Sequence, residues 1–235
     1  MPEAELIGLA ARYVPKDFAG ALRGPGLAII AEMKQRTPSM DVLAADYRPG
    51  DLARAYTRGG AAAISVLTHG AAFGGQLDHI RMARAQTELP ILRKDFVTDA
   101  YQILEARAAG ADAVLLIVAA LETRSLEELL GAARKYAIGA LVEVHDEREA
   151  VTAVSAGAEV IGVNHRDLRT FALNLGLTDT LRKAIPSELV LVAESGIHTP
   201  QDARRMREAG ADAILVGEAL MRAADPGALI GKMQT

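Results

Sequence analysis

The chain contains no cysteine and no tryptophan, and aromatic residues make up only 4% of it. Without cysteine there is no disulfide, no thiolate metal site and no thiol nucleophile. A long hydrophobic run is missing too. The longest apolar stretch, Ala111 to Leu121, carries Asp112 and is too short to span a bilayer. Neither sign of charge dominates, with 26 Lys and Arg against 30 Asp and Glu. That balance leaves no electrostatic footprint for nucleic acid or an anionic membrane. The N-terminus has Glu3 and Glu5 where a signal peptide has a basic start, so a cytoplasmic protein is expected.

Generic cofactor motifs are absent as well. Gly24-Pro25-Gly26 has no third glycine at the right distance and precedes a strand-like run, and no P-loop occurs. The five histidines, His69, His79, His145, His165 and His198, sit at no metal-ligand spacing. No metal and no cofactor are expected.

What is present is a repeat. Arg58-Gly59-Gly60-Ala61-Ala62-Ala63, Ala109-Gly110-Ala111-Asp112-Ala113, Ala156-Gly157-Ala158-Glu159-Val160 and Ala209-Gly210-Ala211-Asp212-Ala213 are variations on one phrase. Each follows a helix-like segment and leads into an aliphatic run. The glycine marks a helix end, where positive φ is usual, and the run reads as a strand buried on both faces. The phrases lie about fifty residues apart, roughly twice what one strand-and-helix unit needs. A further strand fits in each interval: Ile91 to Lys94, Gly139 to Glu143 and Leu189 to Glu194, with Leu27 to Glu32 ahead of the first phrase. Eight strands alternating with helices predict a single-domain (β/α)8 TIM barrel over residues 1–235, with a short N-terminal extension over 1–26.

In such a barrel, chemistry sits at the C-terminal ends of the strands. Those ends carry charge: Glu32 and Lys34, then Lys94, Glu143, Asn164 and Arg166, Glu194-Ser195-Gly196, and Gly217-Glu218. Glu32 and Lys34 are two residues apart, as are Asn164 and Arg166, so each pair shares one face of an extended segment. Opposite charges converging in one cavity are costly unless they pair or meet a ligand. Lys34, Lys94 and Arg166 therefore read as anion binders or acids, offset by Glu32, Glu143 and Glu194, and the ligand as an anion. Ser195, Gly196 and Gly217 follow the seventh and eighth strands, where phosphate is usually cradled by backbone N–H groups.

Several blocks then resemble the indole-3-glycerol phosphate synthase family. They are Ile30 through Ser39, Ser65-Val66-Leu67-Thr68 with Phe73-Gly74-Gly75, Leu92-Arg93-Lys94-Asp95-Phe96, Val142-Glu143-Val144-His145, Gly162 through Leu168, and Ala193 through Ile197. The match runs in order over nearly the whole barrel. It implies ring closure of 1-(2-carboxyphenylamino)-1-deoxyribulose 5-phosphate with loss of carbon dioxide and water, in tryptophan biosynthesis. It implies Lys94 as the general acid on the ribulose carbonyl and Glu143 as the acid/base group of the dehydration. Lys34 would assist as an acid or hold the substrate carboxylate, with Glu32 orienting it. Asn164 and Arg166 would position the substrate, Phe96 would contact it, and Glu194, Ser195 and Gly196, with Gly217 and Glu218, would complete the mouth and phosphate cradle. A partly desolvated lysine near other cations is expected to have a lowered pKa, which suits proton donation. A monomer is expected, with oligomers left open.

The chain also departs from the family pattern. Thr37-Pro38-Ser39-Met40-Asp41 stands in the first loop, and His69, Ala72 and Gln76 replace an acidic residue, a tyrosine and a serine in the second. His165 replaces a small or amide residue, and the segment before Glu32 is short, so a helix that helps cover the site is expected to be reduced. These substitutions leave the proton-transfer residues in place and leave open a second reading, a paralogous barrel lyase acting on a related aryl or sugar phosphate. A non-catalytic barrel is disfavoured, because a disused site has no reason to keep buried charges.

Overall fold

The computed structural model describes every residue except Pro38, Ser39, Ala45 and Leu168, so Pro38, Ser39 and Leu168 of the motif blocks lie outside the described residues. Eight parallel strands close into a barrel in sequence order: β1 (Ala28–Met33), β2 (Ala63–Leu67), β3 (Ile91–Lys94), β4 (Ala113–Ile117), β5 (Gly139–Val144), β6 (Val160–Asn164), β7 (Val190–Glu194) and β8 (Ala213–Val216). Closure is made by β1 pairing with β8, Ala28 opposite Ala213 and Ala31 opposite Val216. The strands fall where the apolar runs predict them, within a residue at each end. All four repeat glycines, Gly60, Gly110, Gly157 and Gly210, have positive φ, as the helix-stop reading requires.

Helices follow the strands, from Pro49–Arg58 to Pro226–Met233. Their starts are locally encoded: Asp99 and Gln102 form a capping box for Ala100–Ala109, and Thr199 and Asp202 form another for Pro200–Glu208. Short helices at Phe18–Ala21, Gly70–Phe73 and Glu218–Arg222 lack a long enough periodic pattern to be foreseen.

Inward-facing residues alternate along each strand. Ile30, Ala63, Leu92, Ala113, Leu115, Leu141, Val160, Val190, Val192, Ala213 and Leu215 fill the barrel as one buried cluster. Phe18 and Leu22 belong to that cluster, and a Cβ on Gly139, where β5 begins, would lie 3.4 Å from Phe18. The N-terminal segment thus closes the floor of the barrel, opposite the mouth, rather than covering the site. Burying those two apolar side chains contributes about 1.5–3 kcal/mol each.

Asp112 ties this segment down. Its Oδ1 accepts from the Tyr13 hydroxyl at 2.5 Å and the Lys16 amide at 2.6 Å. Its Oδ2 accepts from the Ile91 amide at 2.7 Å and pairs with Arg84. The same device recurs half a barrel later, where Asp212 accepts from the Leu191 amide at 2.8 Å and lies 3.8 Å from Arg182. The Asp of the repeated phrase therefore caps the start of the preceding strand, a role invisible in the phrase itself.

Candidate functional site

Above the apolar filling, the next inward positions carry Glu32 on β1, Ser65 on β2, Lys94 on β3, Glu143 on β5, Asn164 on β6 and Glu194 on β7. Glu32, Ser65, Glu143 and Glu194 are buried. Lys94 Nζ donates to Glu143 Oε2 at 2.9 Å and to Glu194 Oε2 at 2.8 Å. Asn164 Nδ2 donates to Glu143 Oε1 at 3.0 Å. Lys34 Nζ, just past β1, donates to Glu32 Oε1 at 2.6 Å.

Two glycines make this packing possible. A Cβ on Gly162 would overlap Glu194 Oε1, and one on Gly217 would overlap Glu32 Oε1 and stand 3.0 Å from Lys34 Nζ. Gly217 thus serves the carboxylate below it, and its position puts the Lys34 cation beside the end of β8. Gly162 carries no signal in the sequence, because a glycine inside a strand shows its purpose only when the neighbouring strand is known.

The electrostatics correct one expectation. Burial acts to lower the Lys94 pKa, but Glu143, Glu194 and Glu32 together outweigh it and raise it well above the ordinary lysine value. Lysine 94 has carboxylates, not cations, as its nearest charges. The two carboxylates that share it diverge. Burial pushes both up, but Lys94, His145 and Asn164 hold Glu143 well below the usual range. Glu194 stays above it, with burial and the nearby Glu143 and Glu32 outweighing Lys94. Glu194 Oε1 has no hydrogen-bond partner among the described residues. One carboxylate held low and one raised to about 7 flank one ammonium, a combination suited to moving protons in both directions.

Other predicted residues are placed differently. The Arg166 amide donates to Asn164 Oδ1 at 3.1 Å, but its guanidinium Nη1 donates to the Phe171 carbonyl at 3.2 Å. The side chain is turned onto its own loop. Phe96 is 49% exposed and meets His69 edge-on at 5.2 Å. Phe171 and Leu173, also exposed, lie on the loop after β6. Glu218 Oε1 accepts from Arg222 Nε at 3.0 Å. Ser195 and Gly196 both have positive φ, 68° and 74°.

His165 supports that turn. Its Nδ1 is 2.9 Å from the Ser195 carbonyl, which can only accept, so Nδ1 carries the proton; Nε2 then accepts from the Thr178 hydroxyl at 2.7 Å. Burial lowers its pKa, which keeps the ring neutral. In the sequence His165 shows only as a substitution, and nothing there marks a role for His145. His145 lies two residues past Glu143, the spacing that returns a side chain to the same side of an extended segment.

Between the loops after β1 and β2 lies a cavity of about 310 Å³ lined by Gln35, Arg36, Val42, Gly70, Gly74, Gly75 and Gln76. Arg36 Nη2 donates to the Gly70 and Ala71 carbonyls at 3.1 Å each, joining the two loops.

The family model for indole-3-glycerol phosphate synthase matches residues 9–233. Over 229 residues the chain is 60% identical to indole-3-glycerol phosphate synthase 2 of Streptomyces coelicolor, covering 97% of this chain and 89% of that protein. It is 48% identical to the indole-3-glycerol phosphate synthase of Paracidovorax citrulli, covering 94% and 86%. Among solved structures, 3-hexulose-6-phosphate synthase from Salmonella typhimurium superposes with a TM-score of 0.70 at 17% identity, covering 88% of this chain and 97% of that one. Thiamine phosphate pyrophosphorylase from Pyrococcus furiosus does so at 0.67 and 20%, covering 88% and 93%. At that identity these two share the fold alone.

Proposed function

The chain belongs to the indole-3-glycerol phosphate synthase family, a group of decarboxylating lyases of tryptophan biosynthesis acting on a phosphorylated small molecule, and we propose how its own residues carry that reaction. The observation that carries the assignment of roles is the Lys94 ammonium held between Glu143 and Glu194 at the barrel mouth.

Lys94 donates a proton to the ribulose carbonyl as the ring carbon bearing the carboxylate attacks it, so the C=O π pair ends on a hydroxyl. Loss of carbon dioxide returns the C–CO₂ bond pair to the ring. Dehydration then expels that hydroxyl as water and takes a proton from the adjacent ring methylene, whose C–H pair becomes the new ring double bond, with Glu143 as the proton-transfer group. A proton leaving Lys94 removes one of the charges that hold Glu143 low, so the first step raises Glu143 toward the proton transfer of the second. Glu194 accepts the Lys94 hydrogen bond and steers the ammonium.

Lys34, beside Gly217, contributes positive charge where the phosphate would lie, oriented by Glu32. Backbone N–H groups at Gly196, Gly217 and Glu218 form the remaining cradle, with the Glu218 side chain turned to Arg222. Phe96, Phe171 and Leu173 offer an apolar rim for the aryl ring, and the Arg166 guanidinium must leave the Phe171 carbonyl to reach the substrate. No cofactor enters this scheme. The reading includes a monomeric, cytoplasmic enzyme formed of one domain in which residues 1–26 complete the barrel floor. Among the described residues, no helix is long and apolar enough to cross a membrane.

Indole fluorescence after adding the carboxyphenylamino-deoxyribulose phosphate tests the scheme. Turnover by the wild type and its loss in Lys94→Ala and Glu143→Gln is the expected result. Turnover unchanged in either variant overturns the corresponding role, and a borohydride-trapped adduct would replace acid catalysis by Lys94 with a Schiff base.

A further inference from the structure

Glu143 has a second charged neighbour, on the side away from Lys94. His145 Nε2 lies 3.3 Å from Glu143 Oε1, close enough for an ion pair though not aligned as a hydrogen bond. Behind the ring, Glu149 Oε2 is 3.1 Å from His145 Nδ1 and accepts from the His145 amide at 2.8 Å. Glu149 is itself fixed, as its amide donates to the Asp146 carboxylate that caps the helix Glu147–Ser155. The backbone of one loop residue and the ring of the same residue thus converge on one carboxylate oxygen, which sets the ring plane. An ionised carboxylate can only accept, so Nδ1 carries a proton and Nε2 is the nitrogen presented to Glu143.

We propose that His145, clamped by Glu149, is a positioning residue that holds Glu143 ionised and turned toward Lys94. This rests on the acid/base role assigned to Glu143.

The charges around His145 support it. Glu143 faces it from its own strand and Glu149 from the following helix; Lys94 and Asn164, from β3 and β6, touch Glu143 rather than the ring. The 3-10 turn Val118–Ala120, which packs on both β5 and that helix, brings no titratable side chain. Burial alone would discharge the ring, but the two carboxylates outweigh it and raise its pKa from 6.5 to about 9. The imidazolium persists through neutral pH, and Glu143 has a cation on each oxygen. When Lys94 gives up its proton, His145 is the charge that remains to keep Glu143 in place.

Two measurements test this. The first is an NMR titration of the five imidazoles of the wild type, where one should titrate near pH 9 and move down in Glu149→Gln. The second is the pH profile of His145→Gln, which keeps a donor and removes the charge. Its kcat should fall by about tenfold or more with KM within about twofold, and the acid limb of kcat should move up toward an ordinary carboxylate. No imidazole titrating well above 6.5, or a His145→Gln profile that superimposes on the wild type, overturns the proposal. If His145→Gln fails to fold, the titrations of the wild type and of Glu149→Gln decide it alone. The two failures are distinguishable. If Glu143→Gln turns over normally, the role of Glu143 falls; if Glu143→Gln is inactive and His145→Gln is unchanged, only the role of His145 falls.

Discussion

Glu194 Oε1 occupies the space left by the missing side chain of Gly162. The two residues sit on adjacent strands, β6 and β7, and the absence of one side chain sets the position of the other. Gly162→Ala should therefore push Glu194 off Lys94 while leaving the barrel folded. Activity should fall by about 10²-fold, the scale of a displaced catalytic group, with an unchanged circular dichroism spectrum. Wild-type turnover in Gly162→Ala would mean that the Glu194 position is immaterial.

Removing Lys94 takes away the cation shared by Glu143 and Glu194. Lys94→Ala should cost about 10²–10⁴-fold in turnover, the usual contribution of a general acid. Glu194, already raised to about 7 with Lys94 acting to lower it, should then hold its proton fully at neutral pH, visible as a stronger carboxylic-acid band in the infrared difference spectrum. Activity within a few-fold of wild type removes Lys94 from the chemistry.

Asp112 has four donors on its two oxygens, and an amide cannot accept on both sides. Asp112→Asn should destabilise the protein by about 3–5 kcal/mol, as expected when a buried pair loses one partner, and free the N-terminal segment for proteolysis. Asp212 is 43% exposed and its arginine is distant, so Asp212→Asn should cost under about 1 kcal/mol. Urea midpoints of the two variants measure the contrast, and equal shifts would refute it.

His145 also links stability to pH. Its folded pKa, about 9, lies above the ordinary 6.5, so the folded state holds a proton that the unfolded state releases. This contribution is complete below pH 6.5 and is lost as pH rises through 9. The stability of the wild type relative to His145→Gln should fall across that window, measured by urea denaturation at each pH. A constant difference would show that the ring titrates normally.

The loop substitutions concern binding rather than chemistry. Gln76 lines the cavity between the loops after β1 and β2, and Ala72 lies on the short helix beside it. Ala72→Tyr with Gln76→Ser should lower KM with little change in kcat, because a tighter lid adds binding common to ground and transition states. A fall in kcat instead would assign these positions to a different substrate.

The positions of the eight strands, the four glycine stops and the charged strand ends were all determined by local pattern, because burial on both faces and the left-handed turn each leave a mark within a few residues of chain. Lys94 and Glu143 were legible for the same reason, each ending an apolar run. The tertiary structure alone decided which charges meet. Lys94 has its partners on β5 and β7, so its pKa rises where the sequence implied a fall. Gly162 matters because β7 lies beside it, His145 because Glu149 returns to it from the next helix, and Asp112 because Arg84 and the Ile91 amide meet it from one side and Tyr13 and Lys16 from the N-terminal segment. The energy of a buried ion depends on what stands within a few ångströms of it, and in a closed barrel most of those neighbours are distant in the chain.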